Sequence, residues 1–273
     1  MVQKDILVSI LINNYNNELY IKRCIQSCIR QSYKNFEIII YDDNSNDGSQ
    51  KIIKSIKDKR IKIIFNKKKL YNSGALNQLE GIYRSSIKSK GDIVFLLDGD
   101  DFYLKNKLNF ITAIFKKKKD LNFVQDSPYY YFPDKNIKIK KKLRDKFFIM
   151  HTWPYFFPTS TMTFKRKFLI KILKEIKFSK KKYSRMFFDG RAYIYMHFFE
   201  NNFLKLNKYF TMYNQNIKGD TIKNYSKKNL EWWKRRYEYH MYVRSLFKKK
   251  SKYHFKFLDY YITIFINFLF KRD

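Results

Sequence analysis

The run Gly91-Asp92-Ile93-Val94-Phe95-Leu96-Leu97-Asp98-Gly99-Asp100-Asp101 constrains this chain more than any other segment. Its five consecutive apolar residues are too few for a solitary helix. They read as a strand buried on both faces, the habit of parallel sheets covered by helices. The run then ends in three acids around a glycine. Uncompensated burial of charge is costly, so such carboxylates face water, a cation or a ligand. Asp98 and Asp100, with only Gly99 between them, can both reach a hard divalent cation, which prefers oxygen ligands. A lone Asp-x-Asp is more often a polar turn, so its neighbours decide.

Those neighbours alternate. Ile6–Ile12 reads as a strand, Glu18–Gln31 as an amphipathic helix, Phe36–Tyr41 as a strand and Ser49–Lys57 as a short helix. Ile61–Phe65 is a further strand, Ser73–Ser89 a helix and Asp92–Leu97 the fourth strand. Strand–helix alternation with short connections predicts an α/β fold, a single doubly wound, mostly parallel sheet flanked by helices. Ligands of such sheets bind beyond the carboxyl ends of the strands. Polar clusters stand at three of those ends: Asn13-Asn14-Tyr15-Asn16, Asp42 through Ser49, and Asp98 through Asp101. Chance would scatter them. Beyond Phe102, Leu104–Phe115 is predicted helical, Leu121–Gln125 a strand and Pro128–Asp145 an irregular basic insertion. Thr159–Phe164 alternates like a strand, Lys165–Ile176 and Phe188–Glu200 like helices, and Phe203–Tyr213 like an edge strand. From Lys227 onward the pattern is helical, basic and aromatic. Soft boundaries near residues 102 and 216 divide the chain into 1–102, 103–215 and a helical extension, 216–273.

Composition narrows the classes. A chain of 273 residues with 45% hydrophobic content can bury a large core, and 7 Gly and 4 Pro exclude a low-complexity polymer. Cys24 and Cys28 lie four apart on the apolar stripe of the first helix, where free cysteines act as small core residues. The net charge of +34 favours phosphates on a nucleotide, nucleic acid or anionic lipid. Much of it accompanies abundant Asn, Ile, Phe and Tyr, the signature of an AT-rich genome, so the lysine runs read mainly as solvated faces. The first apolar run has no small-residue cleavage site after it and reads as a strand rather than a signal peptide. Phe257–Phe270 carries Asp259 and Asn267 and falls short of the ~20 residues of a spanning helix. A cytoplasmic protein is expected, peripheral at most on the inner face of the cell membrane.

The edge clusters suit one chemistry. Asp98 and Asp100 can hold Mg²⁺ or Mn²⁺ against a diphosphate, offsetting the charge that builds on a departing phosphate. Asp42 or Asp43, one strand over, can accept from a nucleobase N–H or a ribose hydroxyl, and Tyr15 can stack on a base. The Asp42–Ser49 loop also reads as an Asx-rich turn capping the next helix through Asp47 or Ser49.

Three stretches carry a resemblance: Val8-Ser9-Ile10-Leu11-Ile12-Asn13-Asn14-Tyr15-Asn16, Gln31 through Ser49, and Gly91 through Asp101. In order and spacing they resemble the family 2 glycosyltransferases of GT-A fold, over about residues 6–110. The resemblance implies a nucleotide-diphospho-sugar donor, UDP-linked, a divalent metal (Mn²⁺ or Mg²⁺), and hexosyl transfer with inversion at the anomeric carbon. It implies that Tyr15 and Asp43 hold the nucleobase, Asp98 the ribose or metal, and Asp100 the metal, with Lys68 or Lys69 touching the donor. It also implies an acidic general base near the start of a helix in the second half, where Phe187-Phe188-Asp189-Gly190-Arg191 stands. Asp189 is the candidate base, although the family often shows an acidic pair there and this chain has glycine after one acid. Asp126 and His151 are alternatives, while His197 fits the core better.

In the extension, Trp232, Trp233, Tyr237, Tyr239 and Tyr242 interleave with Lys234, Arg235, Arg236 and Arg244. Aromatics and cations in this mixture suit an anionic membrane surface and a cell-surface polysaccharide or lipid-linked glycan acceptor. They equally suit packing on the catalytic domain or on a second subunit in a homodimer. A basic nucleic-acid-binding protein is the alternative class, but it leaves the strand-end acids facing a phosphate backbone that repels them. A sugar-phosphate nucleotidyltransferase shares the metal logic but needs a glycine-rich, lysine-bearing loop after the first strand, and Asn13–Asn17 has neither.

Overall fold

The computed structural model describes residues 5–142, 157–177, 182–215, 230–250 and 258–269. The alternating first half folds as its periodicity demands, into β1 (Val8–Asn14), α1 (Ile21–Ile29), β2 (Phe36–Asp42), α2 (Ser49–Ser55), β3 (Ile61–Phe65), α3 (Gly74–Lys88) and β4 (Ile93–Asp98). The chain continues through β5 (Phe102–Tyr103), α4 (Lys107–Lys117), β6 (Phe123–Phe132), β7 (Ile137–Lys140) and β8 (Met162–Lys165). Then come α5 (Arg166–Lys177), α6 (Phe188–Phe199), β9 (Phe203–Asn214), α7 (Leu230–Lys250) and α8 (Leu258–Leu269).

The strands join in the order β3-β2-β1-β4-β8-β6-β9-β5, with β7 paired to β6. β1 is parallel to both β2 and β4, and β2 to β3. β8 enters antiparallel beside β4, and β9 runs parallel to β6, so most paired positions are in parallel register. The direction of winding reverses between β1 and β4, which opens a crevice at their carboxyl ends. Register aligns the predicted clusters there: Asn13 is opposite Asp98, and Asn14 opposite Asp42.

Pleating sends alternate residues to opposite faces. Ile10, Ile12, Ile38, Ile40 and Phe95 pack beneath α1, α2 and α4, while Leu11, Ile39, Val94 and Leu96 pack against α3, α5 and α6. Cys24 and Cys28 are buried free thiols in the first of these layers, as small core residues. A third cluster joins Tyr183, Met186 and Ile194 to Tyr239, Tyr242, Val243 and Phe247, and so fastens α7 to α6.

Two expectations change. The segment predicted as an irregular insertion from Pro128 is a hairpin through Lys140: β6 runs to Phe132, turns at Asn136 (φ 48°) and returns as β7. Tyr129-Tyr130-Tyr131-Phe132 has strong strand preference, and the register shift beside Pro128 absorbs its missing N–H. The remainder of that prediction, 143–145, lies outside the described residues. β9 is no edge strand, because β6 lies on one side of it and β5 on the other.

Candidate active site

A cavity of about 540 Å³ occupies the crevice. Its floor is Asn13, Asn14, Asp98, Gly99 and Asp100, and its outer wall includes Tyr15, Asp43, Lys69 and Tyr71. The acid turn is shaped by backbone and side-chain bonds. Gly99 N–H donates to the Asn13 carbonyl (2.7 Å) and Asp98 N–H to Ser160 Oγ (3.0 Å). A side chain at position 99 would meet Asn14 Oδ1 at 2.5 Å, so glycine is required where the loop crosses β1. Of the three acids, Asp101 is structural: fully buried, it accepts from Ser160 Oγ (2.5 Å) and from Asn214 N–H (2.7 Å). Asp98 and Asp100 are left to the cavity.

Electrostatics sharpen that division. Burial, then the Asp100 charge, pushes Asp98 up to about 7, against the bond it accepts from Gln78 Nε2 (3.0 Å). Burial also raises Asp100, with Arg23 opposing. Two crowded carboxylates that resist ionisation offer a hard cation what it favours: oxygen donors in a negative pocket. Among the described residues no group of three or more His, Cys, Asp or Glu side chains forms a protein-only cage. Two carboxylates facing one cavity are what Mg²⁺ or Mn²⁺ takes from a protein, phosphate and water completing the shell. Asp98 and Asp100 therefore fit a divalent metal.

The other predicted residues sort by position. Tyr15 is 37% exposed at the rim, with Lys69 Nζ 3.4 Å from its ring centroid. Asp43 lines the cavity and accepts from Asn66 Nδ2 (2.9 Å); burial raises its pKa, with Asn66 and Lys69 opposing. Asp42 is elsewhere. Fully buried, it accepts from Asn14 Nδ2 (2.8 Å), Ser45 N and Oγ (2.9 and 2.7 Å) and Gln50 Nε2 (2.9 Å), and it does not line the cavity. Its carboxylate is spent holding the loop. Lys68 is exposed and outside the cavity, so the structure brings Lys69 to the site in its place.

Asp189 stands in the first turn of α6, half-buried, its Oδ1 accepting from Gly190 N–H (2.6 Å). It does not line the cavity, but its charge reaches Asp98. Burial raises it to about 6, while the Gly190 N–H and Arg235 of α7 pull it down. Glycine follows it because Tyr239 of α7 packs on that backbone, leaving no space for a Cβ. Gln78 joins the two acids: its Nε2 donates to Asp98 while its Oε1 accepts from Phe188 N–H (3.2 Å), the residue before Asp189. Asp126 is fully buried and paired with Lys107 (2.8 Å), which removes it from any solvent-borne proton transfer. His151 lies outside the described residues. His197 is half-buried against Phe198.

Sequence reasoning missed Gln78, Ser160, Asn214 and Tyr213. Tyr213, next to last in β9, packs edge-to-face on Tyr130 (5.4 Å), and has its phenol raised well above normal by burial and by Asp101, Asp100 and Asp189. The uncharged amide pair Asn77-Gln78 at a helix start was the available signal for the first of these.

The sheet order, its switch point and the acid turn define an α/β fold of the GT-A kind with a helical C-terminal extension. Solved structures agree in fold. S. aureus TarS with UDP-GlcNAc is 15% identical at TM-score 0.58, covering 87% of this chain and 66% of that one. The mannosyltransferase PcManGT from Pyrobaculum calidifontis, with GDP-Man and Mn²⁺, is 12% identical at TM-score 0.56, covering 90% and 65%. The model of glycosyl transferase family 2 matches residues 9–176, and the chain belongs to that family. An uncharacterized glycosyltransferase of Haemophilus influenzae is 40% identical over 121 residues, 43% of this chain and 42% of that protein. The Escherichia coli UDP-Glc:alpha-D-GlcNAc-diphosphoundecaprenol beta-1,3-glucosyltransferase WfgD is 33% identical over 114 residues, 41% of this chain and 42% of that protein. The matched stretch is thus less than half the length of either relative.

Proposed function

We propose that this chain transfers a hexose from a UDP-linked donor to a hydroxyl of a lipid-linked or cell-surface glycan, with inversion. The observation that carries the reading is the convergence of Tyr15, Asp43, Asp98 and Asp100 on one cavity. Tyr15 stacks on the base and Asp43 accepts from its N–H. Lys69, beside Tyr15, sits where donor phosphate or ribose passes. Asp98 and Asp100 would hold Mn²⁺ or Mg²⁺, which when bound offsets charge on the leaving diphosphate. Asp189 takes the proton of the acceptor hydroxyl as its oxygen bonds to the anomeric carbon and the bond to the diphosphate breaks on the opposite face. UDP-linked donors appear in the names of WfgD and of the TarS complex, and a diphosphoundecaprenol acceptor in that of WfgD.

The test is a thermal-shift panel of nucleoside diphosphates with and without Mn²⁺. UDP with Mn²⁺ at ~100-fold its Kd should raise the midpoint by about 5 °C or more, since a ligand of the native state stabilises by ~2.7 kcal/mol there. No shift with any nucleotide, or shifts indifferent to the metal, would remove the donor reading.

Tyr213, packed on Tyr130, feels the charges of both Asp100 and Asp189, and such rings favour the C–H face of an acceptor sugar. Tyr213→Leu should raise the acceptor KM by about 3–10-fold, the worth of one aromatic contact, and leave UDP affinity unchanged. An unaltered acceptor KM would take this pair out of the acceptor site.

A further inference from the structure

Helix α8 is built inside out. Its buried residues are polar: Asp259, which accepts from Arg236 Nε (2.7 Å) and Nη2 (2.5 Å) of α7, and Thr263, fully covered beside His240. Asn267 continues that face, donating to the Trp233 carbonyl (3.2 Å). The outward face is apolar. Leu258, Tyr261, Ile262, Phe265, Phe268 and Leu269 are each 39–61% exposed, at spacings of three and four that form one continuous stripe. A helix held through its polar side with its aromatic side presented outward has a partner to meet there.

Its length and charge say which. At ~1.5 Å per residue, this 12-residue helix is too short to cross a hydrocarbon core of ~30 Å. Among the described residues no helix is long and apolar enough to span. The sequence brackets the stripe with cations, Lys248, Lys249, Lys250, Lys252 and Lys256 before it and Lys271 and Arg272 after it, in a chain of net charge +34. A chain of this net charge, cationic in sequence on both sides of the helix, is neutralised by an anionic headgroup layer and not by a second copy of itself.

We infer that α8 docks this chain on an anionic lipid surface, its row of Leu258, Tyr261, Ile262, Phe265, Phe268 and Leu269 lying at the headgroup boundary. Of the five aromatics first expected there, Tyr239 and Tyr242 of α7 are buried against α6, while Trp232 and Trp233 are half-buried and Tyr237 is exposed. α7 thus stands between the two sites. Arg235 and Tyr239 meet the Asp189–Gly190 turn, while Arg236 and His240 carry α8. One helix separates the lipid face from the acceptor side, a fit to an acceptor that stays anchored in the bilayer. The inference extends the transferase reading to the place of reaction, and its test does not depend on turnover.

The full chain should float with phosphatidylcholine vesicles containing about 30% phosphatidylglycerol, and flotation should weaken as salt is raised from about 0.1 to 0.5 M. The double variant Phe265→Asp, Leu269→Asp alters the outward face, so its melting midpoint and its shift with UDP should match the parent. Its flotation should fall at least about tenfold. Equal flotation of parent and variant, or none by the parent, would overturn the inference. So would undiminished flotation on pure phosphatidylcholine. A parent dimer that the variant dissolves into monomers, by light scattering, would assign the stripe to a second copy instead. Should UDP binding fail while flotation behaves as expected, the UDP-donor reading falls and the docking surface stands.

Discussion

Asp189→Asn should remove turnover, by about 10²–10⁴-fold, while UDP and Mn²⁺ bind as to the parent. The amide keeps the size of the carboxylate and loses its negative charge and its capacity to take a proton. Because Asp189 is raised to about 6 by burial, the parent's rate should climb with pH along an acid limb centred near that value, as the base ionises. Donor affinity is the control: it rests on residues of the cavity, which Asp189 does not line. Steady-state rates across pH, alongside isothermal titration with UDP, measure both. Near-parental turnover in the variant would remove Asp189 from the mechanism, and a base would then be sought elsewhere, since Asp126 is sealed in the core.

The second large effect concerns stability. Lys107 is fully buried, with its Nζ 2.8 Å from Asp126, donating to the Ser160 carbonyl (2.8 Å) and Thr211 Oγ1 (2.7 Å), and 3.9 Å from the Tyr103 ring centroid. Lys107→Met leaves a buried carboxylate without its cation, a loss of about 3–5 kcal/mol when one partner of such a pair is removed. Burial already raises Asp126, with Lys107 the first of the groups opposing it. Without that lysine the folded-state pKa climbs further above the unfolded one. The variant's deficit should then be largest at neutral pH and shrink toward acid pH, where Asp126 carries a proton in both states. Adding Asp126→Leu to Lys107→Met should restore part of the loss. Urea unfolding at several pH values tests this, and a deficit independent of pH would mean that packing, not charge, accounts for it.

How far residues reveal a site depended here on whether its geometry is local. β1, β2 and β4 were legible because each is a short apolar run ending in polar residues, and a parallel sheet aligns those ends. Adjacent side chains at such an end point opposite ways, and spacing alone does not say which faces the ligand. Asp43 faces the cavity while Asp42 turns into its own loop, and the bonds that occupy it come from Asn14, Ser45 and Gln50. The same ambiguity separates Lys69 from Lys68. Gln78, Ser160 and Asn214 were invisible for another reason. Each is an ordinary polar residue whose role comes from folding, which brings it to Asp98 or Asp101 from far along the chain. The β6–β7 hairpin was obscured by lysines that read as loop but alternate with isoleucine on an exposed ladder. In α7 and α8 the aromatics were evident, yet composition could not say that α7 turns Tyr239 and Tyr242 inward while α8 turns its own outward.

The bond from Asn214 to Asp101 spans 113 positions. During synthesis the first four strands emerge together and can pair early, as neighbours in a low-order topology do. The acid turn, by contrast, lacks one of its anchors until β9 has left the ribosome and slotted between β6 and β5. The acid turn therefore stays without this anchor for most of translation and reaches its final geometry only once β9 is in place.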